Sequence, residues 1–293
     1  MSVANAELIT VRRRSILAVI GANPLLTVGA LMVLVVVVAG LSAPLLAPYP
    51  GDAGSATHPY SVLQTLSSKH LLGTDQLGRD ILTRLLYGAR VSPLIALIVI
   101  VAACAVGIPL GLIAGYFGGI LDEILMRITD IFLAVPPLLL ALAFVTVLPA
   151  SITSTILAIT IAWWPWYARL VRGEAASVAS RPYIDNCRVL GIARWRLLLR
   201  HVLPNSFTPV LIQASLDFGG VILTAAALSF LGLGVQDPTP DWGLQVAQGQ
   251  PYFTTQWWLV TFPGLAIVFT AMAFNLLGDG LRDYLDPRHL SIR

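Results

Sequence analysis

The chain has 293 residues, 57% of them hydrophobic and only 11% charged. Ordinary soluble domains carry about 25% charged residues, so the composition excludes a typical soluble fold and points to a membrane protein. The formal net charge of +3 is modest, and its placement along the chain says more than its sum.

Charge-free runs set the expected elements, because a spanning helix needs roughly 20 mostly apolar residues. Arg12, Arg13 and Arg14 precede a long apolar run without a small-residue cleavage site, which reads as a retained first span over Leu25–Ala47. The second span covers Val91 to about Gly115, the third Arg127 to Leu148, the fourth Ile152 to Val171. The fifth covers Phe207 to Leu231 and the sixth Trp257 to Leu277. Runs such as "LMVLVVVVAG" do not alternate as the strands of a membrane barrel would. The fold class expected is an all-α polytopic membrane protein with six transmembrane helices. Its segments are an N-terminal piece 1–23, a membrane unit 24–282 and a tail 283–293. Inside the unit lie an outer segment 48–90, a basic loop 172–204 and an outer loop 232–256.

Orientation follows from lysine and arginine, which favour the cytoplasmic side. With both termini inside, that side holds fourteen of the basic residues and the outside only Lys69, Arg79, Arg84 and Arg90. Trp242, Trp257 and Trp258 read as an outer aromatic belt, and Trp163, Trp164 and Trp166 as an inner one. The two cysteines, Cys104 and Cys187, suggest no disulfide framework. His58 and His70 read as a solvated pair, and no metal-ligand cluster is evident. Asp130 is expected to pair with Arg127, three residues away, or with a lipid headgroup. The glycines Gly107, Gly111 and Gly115 recur every fourth residue, a seam for close helix packing.

The basic stretch "RPYIDNCRVLGIARWRLLLRHVLPN", Arg181–Asn205, stands out in so apolar a chain. Pro182 suits a first helical turn, Gly191 ends the helix, a second helical piece follows, and Pro204 marks a break before the fifth span. Helix, turn, helix at the inner surface is therefore expected. Arg194, Arg196 and Arg200 also fit plain topology setting and contact with anionic lipid heads. Nucleic-acid binding finds no recognised fold.

This segment resembles the loop by which permease subunits of bacterial ABC importers engage their ATPases. The family pattern is Glu-Ala-Ala, three residues, Gly, nine residues, an apolar position, one residue, Leu-Pro. Gly191 and Leu203–Pro204 hold their places, while Asp185, Asn186 and Cys187 stand at Glu-Ala-Ala and His201 at the apolar position. Glu174-Ala175-Ala176 has the letters at the wrong distance from Gly191. "LLGTDQLGRDILTRLLYGARVSPLIAL", "LSFLGLGVQDPTPDWG" and "WWLVTFPGLAIVFTAMAFNLLGDGLRDYLDPR" extend the resemblance. It is strongest to the second permease subunit of the dipeptide/oligopeptide/nickel group.

The resemblance implies a type I importer permease in the bacterial cytoplasmic membrane. It implies a second permease subunit, two ATPase domains and an external solute-binding protein as partners, with membrane lipid around them. It places the coupling loop on Asp185, Asn186, Cys187, Arg188, Gly191, Arg194, His201, Leu203 and Pro204. ATP and magnesium belong to the partners, since no Gly-x-x-x-x-Gly-Lys-Ser/Thr run is present and the chain is expected to be no enzyme. Ionisable groups within a span are costly and rarely face lipid, so Gln213, Asp217 and Asn275 are candidates for the translocation path, with a structural hydrogen bond the alternative for Asp217. Asp75, Arg79, Asp80, Asp237, Asp241 and Trp242 are candidates for an outer cap or for docking the binding protein. Other readings are a nickel or small-solute importer permease and, from another class, an ion-coupled secondary transporter.

Overall fold

The structure, a computed structural model, describes residues 23–285. Arg12–Arg14, the end of the tail, Arg288, His289 and Arg293 lie outside the described residues. Ten helices follow in order: α1 Pro24–Leu46, α2 Ile81–Phe117, α3 Gly119–Leu133, α4 Pro137–Val145, α5 Ile152–Ala179, α6 Pro182–Val189, α7 Arg194–Leu197, α8 Leu203–Phe230, α9 Trp242–Gly249 and α10 Trp258–Leu285. The described residues contain no strand beyond one isolated bridge between Thr74 and Asp80.

Among these, α1, α2, the continuous run Arg194–Phe230 and α10 are long and apolar enough to cross a membrane, and α3 with α4 supply a fifth if counted as one span. Their leucines and valines turn outward: Leu31, Val35, Leu41 and Leu45 of α1 are all exposed. In water so wide an apolar surface would aggregate; against acyl chains it costs nothing.

The expected third span is not one rod. Between α3 and α4 the axis bends by 84°, and the cause is Pro136–Pro137. Proline biases the residue before it away from helix and lacks the donor that would continue the ladder. The expected fourth span lies in α5, which falls short of a spanning composition. Trp163–Tyr167, Arg169 and Arg172 lower its hydropathy. One face of this helix is central: Ala158, Ile159, Tyr167, Ala168, Val171 and Ala175 have no exposed surface.

The glycine seam explains that position. Helices α2 and α5 make the most extensive contact in the bundle. A Cβ on Gly107, Gly111 or Gly115 would fall 2.6, 2.4 and 2.3 Å from the carbonyl oxygens of Trp164, Ala168 and Arg172. Each partner is also four residues from the next, so the two backbones run in register at a distance only glycine permits.

The expected break at Pro204 is absent. Leu198–Val202 form one π turn, in which the Leu203 N–H donates to the Leu198 carbonyl, five residues back. The widened turn accommodates the missing N–H and the ring of Pro204, so α7 runs on into α8. The expected aromatic belts also need correction. Trp242, Trp258 and Trp163 are buried in the protein, while Trp257 and Trp166 are exposed.

Candidate functional site

The basic foot is built from local rules. Helix α6 opens on Pro182 and closes on a left-handed Gly191, φ +74°. The Gly191 N–H donates to the Arg188 carbonyl and the Ile192 N–H to the Cys187 carbonyl, at 3.0 and 3.2 Å. This is the paired closure that glycine-ended helices adopt, and it reverses the chain within two residues. Ile184 is fully buried and anchors α6. Leu197, Leu198 and Val202 join the main core, with Cys187, Ile192 and Leu203 packed against it. At the turn the chain does the opposite: Val189 is 88% and Leu190 78% exposed.

Polar contacts fix the foot's orientation. Arg188 donates to Asp185 at 2.9 Å and lies over the Tyr116 ring, 5.4 Å from its centroid. His201 meets the Tyr183 ring at 6.2 Å. Asn186, Gly191, Arg194 and Pro204 are exposed. Nearby, Arg172 binds Asp122 through two hydrogen bonds of 3.0 and 2.6 Å, tying α5 to α3. Asp130 pairs with Arg169 rather than Arg127, which instead faces Glu123 at 3.8 Å. Helix α3 lies against α5, which makes Arg169 available.

In the membrane region, Gln213 donates to Asp217 Oδ1 at 2.9 Å, one turn apart on α8. The Tyr167 hydroxyl on α5 and the Cys104 thiol on α2 stand beside this carboxyl, enclosed with it between three helices. Asn275 on α10 packs against Gly219, two residues from Asp217 on α8. Of the three path candidates, Gln213 and Asp217 are joined by a hydrogen bond.

At the opposite end of the bundle the structure gathers residues far apart in sequence. Arg79 has no exposed surface. Its Nε donates to Asp75 at 2.7 Å and its Nη1 to Asp237 at 3.0 Å. Asp75 also accepts from the backbone N–H groups of Leu77 and Arg79, which closes the "GTDQLGRD" turn on itself. Asp80 caps α2 through the Thr83 N–H at 2.8 Å and binds His70 at 3.0 Å. His58 binds Asp52 at 2.8 Å. The two histidines thus serve different carboxylates, and His70 is buried rather than solvated.

Asp241 caps α9 through the Leu244 N–H at 3.0 Å and accepts from Ser92 Oγ at 2.8 Å. Burial pushes its carboxyl above the ordinary range, against the pull of these donors. Trp242 donates to the Leu85 carbonyl at 3.0 Å, and Gln245 to that of Arg84 at 3.2 Å. The loop before α9 and that helix are thereby fastened to the first turns of α2. Asp52, Ser92 and Gln245 were not singled out from the sequence. Asp52 accepts from the Asp80 N–H, 28 residues on, and Ser92 and Gln245 bind partners 149 and 161 residues away, beyond the reach of any local pattern.

An apolar helical bundle with a capped, basic foot at one end and a hydrogen-bonded cap at the other defines a membrane transport component. Residues 107–290 match the family described as binding-protein-dependent transport system inner membrane component. The chain belongs to this family, and so is a multi-pass inner membrane permease subunit rather than an enzyme. It is 45% identical over 263 residues to the di/tripeptide transport system permease protein DppC of Pseudomonas aeruginosa, covering 89% of this chain and 87% of that protein. It is 46% identical over 264 residues to the dipeptide transport system permease protein DppC of Escherichia coli, covering 89% and 88%. With the dipeptide permease DppC of Alkalihalophilus pseudofirmus it shares 41% identity over 266 residues, covering 91% and 86%. No group of three or more metal-ligating side chains occurs among the described residues.

Proposed function

We propose that this chain forms half of the path of an ATP-driven importer for di- or oligopeptides, with a second permease subunit as the other half. A solute-binding protein delivers peptide outside, and two ATPase domains bind ATP and magnesium inside. Both termini are cytoplasmic, and the membrane unit is 24–282. Transport-system relatives named for dipeptides and di/tripeptides support the peptide class.

The observation that carries the reading is the foot: a short helix with two exposed apolar residues at its tip and a buried root. Val189 and Leu190 enter a groove of the ATPase, with Asp185, Arg188 and Arg194 on the rim. Asn186 and Cys187 flank the tip, and His201, Leu203 and Pro204 form the stem. Because the root is packed into the core, displacement of the tip is passed to α8 rather than absorbed. ATP then biases the two-state equilibrium of the membrane part through this contact. Gln213 and Asp217, with Asn275, line the path or its gate. Asp75, Arg79, Asp80, Asp237, Asp241 and Trp242 form the rigid outer cap on which the binding protein lands.

The test is Gly191→Val in the complete complex reconstituted into vesicles. Valine cannot hold φ +74° without strain, so the tip is misdirected while the bundle is unaffected. Peptide-stimulated ATP hydrolysis and uptake should fall together, by roughly tenfold or more, with normal insertion. Unchanged uptake and stimulation would refute the coupling role.

A further inference from the structure

The Asp130–Arg169 ion pair sits at a depth where charge is expensive. Phe132, two residues beyond Asp130, packs edge-on against Trp164 with ring centroids 5.4 Å apart. The Trp164 carbonyl in turn lies against Gly107 of α2. From Gly107 to the end of α2 at Phe117 is about 15 Å, at roughly 1.5 Å per residue. Residues 91–121 carry no charged side chain. The pair therefore lies level with the body of an apolar span, not with its end.

Both members are nevertheless half exposed on this chain, Arg169 at 53% and Asp130 at 50%. Ionisable groups at such depth turn to protein or to water, not to lipid. Helix α3 shows which side is wet. Successive residues turn by about 100°, so the exposed Ile120, Ile124, Ile128 and Ile131 form one stripe. The exposed Glu123, Arg127 and Asp130 form a second, about a quarter-turn away. The first suits acyl chains. The second carries charge on from the ion pair toward the start of α3, with Glu123 and Arg127 facing each other at 3.8 Å. On α5 the exposed side continues from Arg169 through Gly173 and Ser177. Carboxylates and guanidinium groups balance along this strip, which suits a zwitterion. A divalent cation would meet two arginines there.

We propose that this strip lines a water-filled stretch of the transport path, and that its ion pair holds the two ends of a peptide. Arg169 takes the α-carboxylate and Asp130 the α-ammonium group, and the two close on each other again when the peptide leaves. The inference rests on the peptide-importer reading and adds to it a station on α3 and α5, apart from Gln213, Asp217 and Asn275.

The test uses the complete complex in vesicles, with Cys104 and Cys187 of this chain replaced by alanine. ATP-driven uptake of alanyl-alanine by that complex checks the importer reading separately; without it that reading falls, and this one with it. Gly173→Cys has open space for its thiol. Because the thiolate is the reacting form and needs water, it should react with a charged methanethiosulfonate roughly tenfold faster than Ile128→Cys. Alanyl-alanine during turnover should slow that reaction. Equal rates at the two positions, or no slowing by peptide, would overturn the site. Asp130→Asn and Arg169→Gln should each lower uptake roughly tenfold, the worth of one hydrogen bond to a charged group, and the double variant should do no better. A pair that only braces α3 against α5 behaves differently, since neutralising one member strands the other and neutralising both relieves it. Recovery of uptake in the double variant, or assembly lost in the single variants and regained in the double, would assign the pair to structure and overturn the proposal.

Discussion

Asp217 and Arg79 are both ionisable and both enclosed, yet their surroundings differ in kind. Arg79 is met by two carboxylates, Asp75 and Asp237, and by a web of backbone donors around them. Removing one member of such a buried pair typically costs about 3–5 kcal/mol, mostly because the partner is left stranded. Asp217 accepts from Gln213 on one oxygen, with the Tyr167 hydroxyl and the Cys104 thiol beside it, and no basic group among the described residues is paired with it. An ionisable group within a span is costly to keep and is a candidate for function. Asp217→Asn keeps the Gln213 acceptor and the volume while removing the charge. It should cut peptide uptake several-fold with the complex assembling in normal yield. Assembly failing before transport does would assign Asp217 to structure.

The α2–α5 pair shows how sequence spacing becomes geometry at the level of elements. Three glycines at intervals of four were legible as a seam, but the partner helix was not, because nothing in the sequence of α5 announces that its carbonyls are to be approached. Gly111→Val places methyl groups into the Ala168 carbonyl, 2.4 Å from the Cβ position. Overpacking of this sort costs about 1–3 kcal/mol. The thermal midpoint of the purified complex should drop accordingly. Gly173→Ala, on the same α5 but with nothing within 4 Å of its Cβ position, should leave the midpoint unchanged or slightly raised. Equal losses in both would mean that the seam is not tight. Two other elements differ from expectation for a shared reason. Pro136–Pro137 lies inside the stretch expected as a single third span but produces an 84° bend. Pro204 looks like a stop, and a π turn carries the helix past it. Proline removes a donor in both places, and only the neighbouring packing decides which outcome follows.

For the whole molecule, charge-free length set the bundle, and arginine placement set its expected orientation. Both signals are one-dimensional, which is why they survive in the sequence. The outer cap is different. Its turn chemistry was visible in "GTDQLGRD", but Asp52, Ser92 and Gln245 join it from elsewhere. Trp242 was misplaced because tryptophan suits a headgroup belt and a buried pocket equally well. Orientation is open to direct measurement. In a chain lacking Cys104 and Cys187, Tyr60→Cys (position 99% exposed) should react with a membrane-impermeant maleimide in intact spheroplasts. Val189→Cys should react only after lysis. Labelling of the second from outside would invert the molecule and remove the foot from the ATPase side.

The π turn at Leu198–Val202 also fixes a direction of aim. It holds one residue more than an α turn, and each residue of a helix advances about 100° around the axis. Excising that residue would restore a regular helix and swing everything before it by about a quarter of a revolution. The compass bearing of the Val189–Leu190 tip is therefore set by a single surplus amino acid, beside a proline that makes the surplus comfortable.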